Sequence, residues 1–131
     1  MGIFQRLFGI CQTNPPTDPS CWSVAGSTLT VDLQKSPELG AVGGAIRIEG
    51  QGIKEKVLVF KGNDDQYHAL INRCSHGGRR LDPMVSESSV QCCSVGKSVF
   101  DYSGKLLSGA AQKDIRALEL KHENEALIIH L

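Results

Sequence analysis

Hydrophobic and polar residues alternate along this chain in short runs. In "STLTVDL", residues 27–33, Leu29, Val31 and Leu33 alternate with small or polar residues, the pattern of a strand with one face buried. "GGAIRIEG" sets Ile46 and Ile48 on one face of another short strand. Val57 to Phe60 and Tyr67 to Ile71 flank the turn-forming "KGNDDQ" and predict a hairpin. "SVQCC" predicts a further strand, and "KSVFDYSGKLL" a hairpin turning at "DYSGK". "IRALELKHENEALIIHL" predicts a closing hairpin that turns at "HENE", with Ile115, Ala117 and Leu118 leading in and Leu127 to Ile129 leading out. "KSPELG" reads as a turn, and after residue 22 no helix of useful length and no repeat is predicted. The expectation is an antiparallel all-β domain of roughly nine or ten short strands, as in sandwiches and barrels.

The first 21 residues break this pattern. "QTNPPTDPS", residues 12–20, holds three of the five prolines and reads as an extended linker. The expected organisation is therefore an N-terminal extension with a Pro-rich linker over 1–21 and one domain over 22–131. The opening "MGIFQRLFGIC" is apolar, but Arg6 interrupts it. It falls short of the roughly 20 residues of a membrane span and of a secretory signal with its cleavage site. Arg6 also stands where a myristoylation signal wants Ser or Thr. Ile3, Phe4, Leu7 and Phe8 would line one side of a short helix. That face suits a membrane surface or a partner, or packing on the domain itself. The reading is a cytoplasmic protein, with membrane contact through residues 1–11 left open.

Composition narrows the classes. The 131 residues suit one domain, and the 40% hydrophobic share suits one core. Fourteen Lys and Arg balance fourteen Asp and Glu, and only Arg79–Arg80 make a local cluster, so nothing points to nucleic acid. The five cysteines, Cys11, Cys21, Cys74, Cys92 and Cys93, are an odd number. Metal ligation or reduced thiols fit this better than a disulfide framework, although a Cys11–Cys21 disulfide stays open.

Two segments carry the candidate chemistry. In "CSHGGRRLDP", Cys74 and His76 lie two apart, so in an extended loop their side chains can point the same way. Gly77 and Gly78 then allow a tight turn and close backbone approach. Fifteen residues separate His76 from "CCSVGKSVFDYSGK", which opens with Cys92 and Cys93. Other candidates read as structural. Asp64 and Asp65 suit turn chemistry, and His68, His122 and His130 are structural or solvated. Arg79 and Arg80 form a solvated face or a docking rim. No Ser-His-Asp set or paired carboxylates appear, so hydrolysis is not expected.

These two segments resemble the cluster loops of the Rieske-type [2Fe–2S] ferredoxin domain family, which combines a Cys-x-His with a Cys-x-x-His. Cys74, His76 and Cys92 match that pattern in identity and spacing. "GKSVFDYSGKLL", "VLVFKGNDDQYHALINRCSH" and the closing hairpin resemble the family's flanking segments, so the likeness spans about residues 22–131. The resemblance implies a Rieske-type antiparallel β sandwich or barrel with a cluster-binding subdomain of two loops. It implies a [2Fe–2S] cofactor, with Cys74 and Cys92 on one iron and His76 on the other. It further implies a one-electron carrier without catalytic activity of its own, docking a reductase, an oxygenase or another acceptor near the loops.

The departure lies at the fourth ligand, where the pattern lands on Val95. Cys93 is a tentative substitute, since a thiolate suits iron. Adjacent extended residues diverge, however, so Cys92 and Cys93 would need a reshaped loop to meet at one cluster. A small ligand at the open iron and zinc at Cys74, His76, Cys92 and Cys93 are further alternatives. So is a cluster-free binding or regulatory subunit of a larger redox enzyme.

Overall fold

The computed structural model describes residues 11–50, 52–75, 78–93 and 98–131. They form eleven strands in three antiparallel sheets, joined by turns and single 3₁₀ turns. The first sheet has β1 (Trp22–Ala25), β2 (Thr28–Asp32), β10 (Glu119–Glu123) and β11 (Ala126–His130), in the order β1-β2-β11-β10. The second has β3 (Ala45–Ile48), β4 (Val57–Lys61) and β5 (Tyr67–Ile71) in sequential order. The third has β6 (Leu81–Met84), β7 (Ser89–Cys92), β8 (Val99–Asp101) and β9 (Leu106–Ser108), also sequential.

Period-two alternation sorts the core. Leu29 and Val31 of β2 sit opposite Ile129 and Leu127 of β11, and all four are buried. With Ile46, Ile48, Val57 and Val59 they form a first hydrophobic cluster. β4 is buried on both faces, so its pattern is a continuous run rather than an alternation. Val57 and Val59 face the first cluster, while Leu58 and Phe60 face a second with Leu70, Leu81, Val90 and Phe100. The middle sheet is thus a shared wall between two cores, and the third sheet closes the second core.

The predicted strands are present, except that the first arm of the closing hairpin is Glu119–Glu123 rather than the segment of Ile115, Ala117 and Leu118, where Ala117 makes only an isolated bridge to Leu70. Two further strands, β1 and β6, were not expected. β1 is an edge strand with only half-buried positions alternating with exposed ones, so its pattern is weak. β6 contains Pro83, which argues against a central strand, and the structure places it at a sheet edge. The "DYSGK" turn depends on Gly104, whose φ is +86°. A Cβ there would collide with the Ile115 carbonyl, which follows from the close approach that lets Ile115 N–H donate to Gly104 at 2.8 Å.

Candidate metal centre

Cys74 lies three residues beyond β5, and Cys92 is the last residue of β7. Each stands at the base of a loop that the backbone closes. The Cys74 N–H donates to the Arg79 carbonyl at 2.7 Å, and the Gly78 N–H donates to the Cys74 carbonyl at 3.1 Å. On the second loop the Cys92 N–H donates to the Ser98 carbonyl at 2.8 Å. The two bases are joined as well. Leu81 sits opposite Cys92 in the β6–β7 register, and the Cys93 N–H donates to the Arg80 carbonyl at 3.0 Å. Both Cys74 and Cys92 are 1% exposed and pack in the second core. His76 and Val95 lie outside the described residues, as do Gly77 and Gly96.

Asn72 braces the first loop from within. Its Oδ1 accepts from the Leu81 N–H at 2.8 Å, spanning the loop from one end to the other. Asn72 is buried, and its Nδ2 has no hydrogen-bond partner among the described residues. A leftover buried donor two residues before a candidate ligand suits an anionic sulfur group held between the loops. The described half of the donor set therefore fits an iron held by two cysteine thiolates. Position 95 carries a side chain without a donor atom.

Cys93 has a different partner from the one considered above. It forms a disulfide with Cys11, 82 residues away in sequence, with a Cα–Cα distance of 5.3 Å. As a disulfide sulfur it is not a thiolate donor, so in this state it does not complete an iron site. The geometry follows from strand alternation. Val90 and Cys92 face the second core, and Cys93, one residue on, turns to the opposite side with Asp82 of β6. The disulfide also replaces the Cys11–Cys21 option. Cys21 is buried in the first cluster, where burial and then Glu38 push its thiol up to about 11. At neutral pH it is an unreactive thiol.

The segment after Cys11 is tied to the domain although it forms no strand. The N–H groups of Gln12 and Thr13 donate to the two carboxylate oxygens of Asp82 at 2.8 and 2.9 Å. The Arg47 N–H donates to the Asn14 carbonyl, and the Thr17 N–H to Glu38. Residues 1–10, with the expected apolar face, lie outside the described residues. No helix among the described residues is long and apolar enough to cross a membrane.

The other candidates behave as turn and packing residues. Asp64 accepts from the Gln66 N–H and pairs with His68 at 2.8 Å, while the His68 ring stacks on Phe60 and meets Tyr102 at a tilt, the three rings forming one cluster. Asp65 adopts a left-handed φ of 62° in that turn. Arg80 makes a bidentate pair with Glu49, at 2.6 and 2.8 Å. These hydrogen bonds lower the Glu49 carboxyl below its ordinary range and raise the Arg80 guanidinium. Arg79 is exposed, and Arg73 and Arg116 line a cleft of about 380 Å³ beside Cys74.

Comparison with known proteins gives the family and the fold. Residues 30–119 match the family model of the Rieske [2Fe–2S] domain. The fold resembles the plasma membrane Rieske protein PetC3 from Synechocystis PCC 6803, with a TM-score of 0.56 and 21% identity over 67% of this chain and 87% of that one. It also resembles the ferredoxin of carbazole 1,9a-dioxygenase from Nocardioides aromaticivorans IC177, with a TM-score of 0.59 and 17% identity over 69% and 86%. The quaternary ammonium Rieske monooxygenase CntA matches 72% of this chain with 30% of its own, at a TM-score of 0.55 and 18% identity. A comparison of the sequence with curated proteins gives no significant match.

Proposed function

The chain belongs to the Rieske [2Fe–2S] domain family, and from that membership we propose that it is a one-electron carrier. Cys74 and Cys92 hold one iron of a cluster, and His76 serves the other. The observation that carries this reading is the placing of two buried cysteines at the bases of two loops that are hydrogen-bonded to each other. When bound, a [2Fe–2S] cluster accepts and donates single electrons at a potential set by its ligands and surroundings. The chain's own residues do the rest. Leu81, Val90 and Phe100 keep water from the Cys74 and Cys92 side, and Asn72 fixes the first loop. The Arg80–Glu49 pair anchors that loop's far end to the residue after β3.

A chain with one histidine at the cluster should show a weaker pH dependence of potential than a two-histidine centre, since fewer imidazoles titrate with reduction. The partner is a redox protein, a reductase, an oxygenase or another acceptor, docking at the loop end. Exposed Arg79, with Arg73 and Arg116 beside Cys74, offers it a positively charged rim. The similar ferredoxin, a component of carbazole 1,9a-dioxygenase, supports that role. The proposed location is cytoplasmic.

A second reading, a cluster-free docking subunit of a larger redox enzyme, is favoured by one specific observation, the valine at position 95. Anaerobic purification with iron and acid-labile sulfide analysis and a visible spectrum separates the two. Visible bands with iron and sulfide support the carrier. A colourless chain that also resists reconstitution supports the docking subunit.

A further inference from the structure

The side of β6 and β7 turned away from the second core carries a set of donors that the electron-transfer reading does not use. One ligand atom each from Cys11, Asp82 and Cys93 lies within 4.8 Å of the other two. Cys93 is fully buried and Asp82 is 6% exposed. A carboxylate this deeply buried is ordinarily paired with a cation. Among the described residues no cation pairs with Asp82. Its two oxygens accept one backbone N–H each, from Gln12 and Thr13, and each oxygen keeps a further lone pair. Those two bonds hold the carboxylate in place, as the supporting contacts of a metal ligand do.

We propose that Cys11, Cys93 and Asp82 form a redox-gated site for a soft divalent cation of the zinc class, separate from Cys74, His76 and Cys92. In the oxidised state the two sulfurs are bonded to each other and the site is closed. A dithiol reductant opens it. One of its thiolates attacks the cystine, the S–S bond breaks, and a mixed disulfide and one protein thiolate result. The second thiol of the reductant then displaces the other protein sulfur and leaves as a cyclic disulfide. Two electrons have passed to Cys11 and Cys93, whose thiols lose their protons when the metal binds.

Once the disulfide is broken, the donors are close enough for one ion to hold all three. With zinc–sulfur bonds of about 2.3 Å and zinc–oxygen bonds of about 2.0 Å, a tetrahedral site has edges of roughly 3.5–3.8 Å. On reduction the two sulfurs, bonded in the oxidised state, part by about 2 Å, and the Asp82 oxygen, within 4.8 Å of both, moves in by up to about an ångström. A fourth position is left for water. Gln12, Thr13, Asp82 and Pro83 line a cavity of about 350 Å³ that reaches Asp82. The charge matches as well, since two thiolates and one carboxylate suit a dication better than an uncharged cavity does.

The test counts zinc bound to the full-length chain before and after reduction by a phosphine, with a chromophoric chelator as competitor. Metal held at Cys74 and Cys92 cancels in the difference. The expected result is one more zinc per chain in the reduced state, with Cys11 and Cys93 together protected from alkylation by that zinc. Asp82→Asn should weaken the added zinc by about tenfold or more. Cys11→Ser should abolish the increment. Equal zinc in the two states would overturn the proposal. So would protection confined to Cys74 and Cys92, or an increment that survives Cys11→Ser. The alkylation map is read on the unaltered chain, so it decides even if a variant fails to fold.

Discussion

Replacing Cys11 with Ser cuts the covalent tie between the N-terminal segment and the second loop. The two cysteines are 82 residues apart, so their bond closes most of the chain into one loop. For a loop of that length the chain-entropy relation gives about 15 cal/mol/K removed from the unfolded state, or about 4.5 kcal/mol at 25 °C. That figure is an upper bound, because a real unfolded chain is already compact. The expected loss is therefore about 2–4 kcal/mol. Urea unfolding of the oxidised wild type against Cys11→Ser measures it. With a slope of about 2 kcal/mol/M the midpoint should fall by about 1–2 M. Wild type reduced by a dithiol should unfold along the variant's curve. A midpoint change below about 0.2 M, or a reduced wild type that keeps the oxidised midpoint, would refute the reasoning.

Other changes probe the loop bases and the turn. Asn72→Ala leaves the buried Leu81 N–H without its acceptor and should cost about 1–3 kcal/mol. Hydrogen exchange at Leu81 should speed up, and an unchanged rate would count against the bracing role. Gly104→Ala combines a left-handed φ with a collision at the Ile115 carbonyl and should cost about 2–4 kcal/mol, read as a lower melting temperature. The Glu49–Arg80 pair adds pH dependence. Glu49 is lowered from its ordinary 4.5 by Arg80, so its contribution is present above about pH 4.5 and disappears as pH falls through the lowered folded value. A partly exposed bidentate pair of this kind is worth about 1 kcal/mol. Wild type should therefore exceed Glu49→Gln by that much at pH 7, with the gap shrinking as pH falls below about 4.5. A gap that stays constant over that range would show that the pair is not its source.

The strand pattern was readable from alternation because most strands have one face in a core. It missed β1 and β6. β1 lies at an edge with no fully buried position, and β6 carries a proline that an edge strand tolerates but a pattern rule rejects. β4 was found for a different reason, as an unbroken apolar run serving two cores. At the candidate site, Cys74 and Cys92 were singled out by their spacing, and the structure buries both at loop bases. The partnership of Cys11 with Cys93 was not. Contacts across 82 residues leave no trace in local spacing, and the nearer Cys21 offered a rival. One signal was available. Successive residues of an extended segment point apart, so Cys93 had to face away from whatever Cys92 faces. Asp82 was overlooked because it sits next to that proline, inside a segment that did not read as a strand.

The most direct test of the carrier reading is electron paramagnetic resonance of the dithionite-reduced chain, purified without oxygen, with iron and sulfide determined on the same sample. The account predicts about two irons and two sulfides per chain and a reduced [2Fe–2S] signal that Cys74→Ser or Cys92→Ser removes. A silent spectrum with neither iron nor sulfide, persisting after reconstitution, would contradict it and leave the fold as a docking module.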